Sequence, residues 1–272
     1  MPRIAIKSLL LSILILLSNA LPIAAQNPAT EDEKKEKTEG KTAPWPELPY
    51  KIGVEYSYSW IFQGVEVAKT IFWLETVQQE DKAPQLIARG TLDYSRAGRV
   101  LTGSSEIRFS DHTIRKPVRY RRTLTTSASI FGEETTDVAV RFEDGKATLS
   151  RKDDAPQLHR REIPLADPIW ILGDQCFEHW VLLGPYLRQI APDGKANLFV
   201  PFAASIPTSN GVMPYTIRHE RTEGEGNERR DRWQIEAHAL KAKLWTDHRG
   251  RVIEYLQENS HILLTGEKEK SS

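Results

Sequence analysis

The sequence predicts a mainly β fold: an extended antiparallel curved sheet, or a partly open β-barrel or roll, crossed by one α-helix at about 174–188. Three observations carry this expectation. Apolar and aromatic residues recur at every second position over long stretches, the period of a strand with one buried face. Short turn signals separate those stretches, whereas parallel pairing would need helical crossovers between them. A single segment switches to helical spacing.

The elements follow in order. Val54, Tyr56, Tyr58, Trp60 and Phe62 alternate with Glu55, Ser57, Ser59 and Ile61, which puts the large rings on one face of a strand. Gln63-Gly64 then forms a turn, and Val65 to Val77 returns as a second strand, rich in β-branched and aromatic residues. Leu86 to Tyr94 alternates again, and Ala97-Gly98 turns the chain into Val100 to Phe109. Strands are expected around Val118 to Leu124 and Val138 to Phe142, with Glu143-Asp144-Gly145 as a turn before Lys146 to Ser150. Past the middle of the chain come Ala196 to Val200, Val212 to Arg221, Arg232 to Ala239, Ala242 to Thr246 and Val252 to Glu258. Pro168 to Gln189 breaks the pattern: Cys176, Trp180, Leu183 and Leu187 form an apolar stripe, with Glu178, Arg188 and Gln189 on the other side. Asp174 is placed to cap this helix and Pro185 to kink or end it.

The ends of the chain read differently. Arg3 and Lys7, the apolar run Leu9 to Leu17 and the small residues before Gln26 have the three-part form of a secretory signal peptide over residues 1–25. Residues 26–48 form a charged, Pro-rich linker expected to be disordered, because mixed charge without apolar residues cannot bury enough surface to offset its ordering entropy. A single β-domain is expected over 49–266 and a polar tail over 267–272. The address is periplasmic or secreted, and no further apolar run is long enough for a transmembrane anchor after cleavage.

Composition narrows the function. The 272 residues hold 37 Lys plus Arg against 37 Asp plus Glu, and loss of the leader leaves 35 positive charges against 37 negative ones. A nucleic-acid binder usually carries a basic excess, so that class is disfavoured. The lone cysteine, Cys176, cannot form an internal disulfide and is read as a buried structural thiol. None of the seven histidines has a close partner at metal-ligand spacing, so neither metal nor other cofactor is expected. There is no G-x-S-x-G elbow, P-loop or dinucleotide fingerprint, and Gly103-Ser104-Ser105 lies in a strand-like run.

Two candidate binding regions remain. Tyr56, Tyr58, Trp60 and Trp180 are the rings that would line a cavity between the sheet and the helix if the sheet curls; otherwise they are core. Arg115, Arg119 and Arg121 share one face of a strand, either as a solvated surface that discourages edge pairing or as a contact for an anionic headgroup or polysaccharide.

Two stretches carry a family resemblance. One is the hairpin Tyr56 to Leu74, with its turn at Gly64 and its Val65-x-Val67-Ala68 return; the other is Leu244 to Ile253, with Trp245 and Asp247 at a turn between strands. Together they resemble the exported β-rich family called domain of unknown function 3108. More distantly they resemble the envelope lipoprotein carriers, whose open half-barrel holds acyl chains. The resemblance spans residues 50–265 and implies enclosure of a hydrophobic ligand rather than catalysis; it transfers no functional residue. Turn chemistry alone explains Asp247 as an acceptor of backbone N–H groups and expects Trp245 to pack inward. The resulting expectation is a non-enzymatic envelope protein that binds a lipid or other hydrophobic molecule. The alternatives are a structural or protein-interaction module with an envelope partner, and a hydrolase whose groups converge only in space.

Overall fold

The computed structural model describes residues 48–79, 82–110, 117–128, 132–143, 145–152, 159–165, 170–172, 177–200, 211–237 and 240–270. The leader, all of the linker but its last residue, Cys176, Asp174 and Arg115 lie outside them. Two antiparallel meanders make up one sheet. The first runs through β1 (Val54–Phe62), β2 (Val65–Gln79), β3 (Lys82–Arg96), β4 (Arg99–Phe109), β5 (Pro117–Ala128), β6 (Gly132–Glu143), β7 (Lys146–Lys152) and β8 (His159–Pro164). The second runs through β9 (Trp170–Ile171), β10 (Lys195–Phe199), β11 (Val212–Glu223), β12 (Arg230–Ala237), β13 (Leu240–Asp247), β14 (Val252–Gln257) and β15 (Ser260–Glu269). They join where β1 pairs with β15, giving the spatial order β8-β7-β6-β5-β4-β3-β2-β1-β15-β14-β13-β12-β11-β10-β9. Among the described residues the named strands pair antiparallel except for the short parallel β9–β10 pair, and Ile52 forms an isolated parallel bridge with Leu74.

Chain connectivity forces this sheet to curl. Fifteen strands laid flat would span roughly 65–70 Å at the usual strand spacing. The two outermost strands, β8 and β9, are nevertheless consecutive in the chain, joined by residues 165–169, which can reach only about 20 Å. The margins therefore face each other, and Phe142 of β6 meets Phe199 of β10 edge to face at 5.6 Å between ring centroids. The result is a barrel-like sheet in which, among the described residues, β8 and β9 are not paired with each other.

Local sequence sets the hairpins. Gln63-Gly64 and Ala97-Gly98 have positive φ at both positions (51° and 79°, 52° and 74°), the two-residue turn whose twist matches that of the flanking strands. The register of β1 on β2 slips between Trp60 and Ile61, leaving Val67 as the extra residue of a β-bulge.

The described part of the helical segment packs against the concave face of the sheet. It consists of α1 (Glu178–Leu183), a 3₁₀ turn (Gly184–Tyr186) that places Pro185 at its start, and α2 (Leu187–Ile190). Pro185 thus breaks the helix as its missing N–H requires. Every residue of α1 is buried, including Glu178, which the sequence pattern assigns to the solvated side. The reason is enclosure: strands of both meanders surround α1, so it has no solvent face, whereas Arg188 and Gln189 of α2 are exposed as the pattern expects. Phe177 meets Tyr58, Trp60 and Tyr255; Trp180 meets Tyr215 and Tyr255; His179 packs on Tyr120 and Tyr186 on Trp170.

Trp245 does not pack inward as its turn position suggests. In β13 the residues pointing to the core are Ala242, Leu244 and Thr246, so Trp245 lies half-buried on the outer face. Asp247 behaves as its turn chemistry requires, with Oδ1 accepting the backbone N–H groups of Arg249 and Arg251 at 2.9 Å each. Strand β15 runs to Glu269, into the stretch read from sequence as a polar tail.

Candidate functional site

All four aromatic residues singled out in the sequence belong to the buried core, and one of them, Trp60, also borders a cleft. Tyr56 closes one end against Tyr50 and Phe72 and receives the Lys51 backbone N–H on its hydroxyl at 2.8 Å. Tyr58 donates to the Val252 carbonyl at 2.9 Å. The Tyr50 hydroxyl accepts the Val252 N–H at 2.9 Å and donates to the Val181 carbonyl of α1. Burial pushes the Tyr58 and Tyr255 hydroxyls well above the ordinary tyrosine range, so both remain neutral donors. Trp180 is wedged between Tyr215 and Tyr255.

Behind α1 lies a polar layer that sequence reasoning missed. The register aligns Gly90 of β3, Ser105 of β4 and Arg122 of β5 side by side on the concave face. Glu178 enters this row: Ser105 donates to its Oε1, and a Cβ on Gly90 would lie 2.8 Å from its Cδ. Gly90 therefore makes room for the carboxylate. Arg122 and Glu178 border the same void of about 10 Å³, which is far too small for a substrate. A nucleophilic serine needs a base to take its proton and space for an acyl group; Ser105 instead gives its hydroxyl to a buried carboxylate. Among the described residues no group of three His, Cys, Asp or Glu side chains could hold a metal ion.

Trp60 reaches a different space. With Ile61, Phe62, Val67, Tyr94 and Ile262 it lines a cleft of about 420 Å³ at the tips of the β1–β2 and β3–β4 hairpins and the start of β15. That volume falls in the usual range of small-molecule sites, about 300–1,000 Å³. The indole is fixed by a hydrogen bond from Nε1 to Thr70 Oγ1 at 2.9 Å, and the unpaired Val67 of the bulge contributes another apolar wall. Gln63, Arg96, Ala97, Arg99, Ser260 and His261 complete the lining, which includes no carboxylate. The Arg96 guanidinium sits 4.1 Å above the Phe62 ring, and His261 faces Glu254 at 2.8 Å. Val65 and Val100, beside the two turns, are exposed.

Arg119 and Arg121 are exposed on the outer face of β5. The register sets Arg119 between Arg108 of β4 and Arg141 of β6, three like charges abreast where opposite charges would be favourable. Arg108 is paired with Glu106 at 2.5 Å, and Glu106 also meets Arg89 at 2.7 Å.

A separate cluster ties α2 to the sheet. Asp231 accepts from Thr222 at 2.6 Å and faces His219 at 3.1 Å, Arg229 at 3.4 Å and Arg188 of α2 at 3.5 Å. Burial works to raise its pKa, but the hydrogen bonds and the two guanidinium charges outweigh it and hold the carboxyl below the ordinary range. A depressed carboxylate stabilises the fold fully above its unfolded pKa of about 3.9, and that contribution is lost as pH falls through the lower folded value. Thermal melts are therefore expected to show a steeper loss of Tm below about pH 4 in the wild type than in Asp231→Asn; parallel profiles would contradict this.

No family model and no curated protein matches the chain, so its resemblance to domain of unknown function 3108 finds no support there. Two solved structures align over most of it. A β-barrel-like protein of domain of unknown function DUF1849 from Brucella abortus is 10% identical, with 82% of this chain and 99% of that one covered at a TM-score of 0.49. A protein with a YmcC-like fold from Bacteroides fragilis is also 10% identical, with 81% and 98% covered at a TM-score of 0.30. Among the described residues no helix is long and apolar enough to cross a membrane.

Proposed function

We propose that this protein is a non-enzymatic, exported bacterial envelope protein, periplasmic or secreted, that binds a lipid or other hydrophobic molecule in the cleft at the hairpin tips. The observation that carries the reading is the lining of that cleft, where Trp60, Phe62, Val67, Tyr94 and Ile262 converge on about 420 Å³. The leader at residues 1–25 supports export. This cleft lies at the hairpin tips, whereas the sequence pattern points to a cavity between sheet and helix, where Phe177 and Trp180 pack against Tyr58, Tyr215 and Tyr255.

The test is displacement of a neutral, environment-sensitive fluorophore by a long-chain amphiphile. Saturable displacement at one site per chain is expected in the wild type. At least a tenfold loss is expected in Val67→Trp, whose added ring occupies the cleft. Equal binding in a Val67→Trp variant of unchanged thermal stability would overturn the assignment.

The arginine row Arg108, Arg119 and Arg141 favours a second reading, a protein-interaction module that meets an anionic partner on the outer face of β4–β6. In that case partner capture from an envelope fraction is lost in Arg119→Glu/Arg121→Glu while amphiphile binding is kept.

A further inference from the structure

We infer that the cleft selects an amphiphile with an anionic head, a carboxylate or a phosphate, and that Arg96 and Arg99 are the groups that read it; this rests on the binding reading above. Three observations converge. The lining contains two guanidinium groups and no Asp or Glu. Arg96 packs on the Phe62 ring 4.1 Å away, and among the described residues neither it nor Arg99 pairs with a carboxylate. His261, which also lines the cleft, is already engaged by Glu254.

The geometry separates the two halves of such a ligand. Trp60, Tyr94 and Ile262 offer apolar surface toward the sheet, while Arg96 and Arg99 flank the Ala97-Gly98 turn at the hairpin tip. Stacking on Phe62 holds the Arg96 fork in place from one side while its in-plane N–H donors stay available, the arrangement that suits paired bonds to carboxylate or phosphate oxygens. A cationic head would instead meet two like charges, and a neutral head would leave both guanidinium groups without a counter-charge.

The experiment compares palmitic acid, 1-palmitoyl lysophosphatidic acid, hexadecanol and hexadecyltrimethylammonium as competitors of the neutral fluorophore. It uses the wild type and an Arg96→Gln/Arg99→Gln double variant, with melts to check that both are folded. The expected result is that one or both anionic ligands bind at least tenfold more tightly than hexadecanol. The double variant is expected to remove that preference while leaving hexadecanol unchanged, and the cationic ligand to bind weakest. Tighter binding of the phosphate head points to a phospholipid product, and tighter binding of the carboxylate to a free fatty acid. Equal affinity for acid and alcohol in the wild type, or a preference that survives in the double variant, overturns the inference and leaves hydrophobic binding standing. Displacement by none of the four overturns the binding reading, and this inference with it.

Discussion

Gly250→Ala is expected to destabilise the protein by about 2–4 kcal/mol, combining the cost of a left-handed backbone with that of overpacking. Gly250 has φ of +86°, and a Cβ there would lie 2.9 Å from Pro185 Cα, backbone that cannot swing aside. The contact is two-sided: a Cβ on Gly184 would lie 2.6 Å from Val252 Cγ2 and 2.7 Å from the Gly250 carbonyl. Two glycines thus let the Asp247–Arg251 turn rest directly on the break between α1 and α2. Arg251 holds the turn from outside; burial opposes its charge, but Asp247 at 3.0 Å and the adjacent Glu267 outweigh that and raise its pKa. The control is Gly64→Ala, where φ is +79° but nothing lies within 4 Å, so only the backbone cost of about 1–2 kcal/mol applies. Urea unfolding measures both. Equal losses in the two variants would show that the turn does not press on the helical segment.

Glu178→Ala is expected to cost about 3–5 kcal/mol, the range for removing one member of a buried charged set. Glu178 is 3% exposed and Arg122 5%, and the two border one small void, so truncation removes a buried negative charge near a buried guanidinium and leaves Ser105 without its acceptor. Glu178→Gln keeps an acceptor for Ser105 and is expected to cost less. The combined Glu178→Ala/Arg122→Ala variant is expected to fall short of the sum of the single losses by at least about 1 kcal/mol, the signature of coupled groups. Strict additivity in urea unfolding would show that the two residues act independently.

Much of the fold was legible because burial on one face of a strand leaves a period-two record. Tyr56 to Phe62, and the Gln63-Gly64 and Ala97-Gly98 turns, were readable for that reason. His159–Pro164 and Trp170–Ile171 were not: the first is dominated by charged residues at a sheet margin, and the second is too short to show any period. Ser260–Glu269 was missed because its apolar residues Ile262, Leu263 and Leu264 are consecutive and a register shift interrupts its pairing with β1. That omission also hid the cleft, since Ile262 joins Trp60 only once β15 is placed beside β1. Trp60 is legible as a lining ring, but the sequence does not say that Tyr58 and Trp60 both meet Phe177 while Tyr56 packs on Tyr50 at the other end of the strand. Glu178 was misplaced because helical periodicity reports which residues share a face, not whether that face meets solvent. The alignment of Gly90, Ser105 and Arg122 depends on register across three strands, which no local pattern records.

The most direct test of binding at the hairpin tips is photolabelling with palmitate carrying a diazirine in its chain, followed by mass spectrometry of the labelled peptides. Saturable labels are expected within residues 60–67, 94–99 and 260–262, all suppressed by excess palmitate. Labels concentrated on residues 178–190, or scattered over the outer face without saturation, would contradict it.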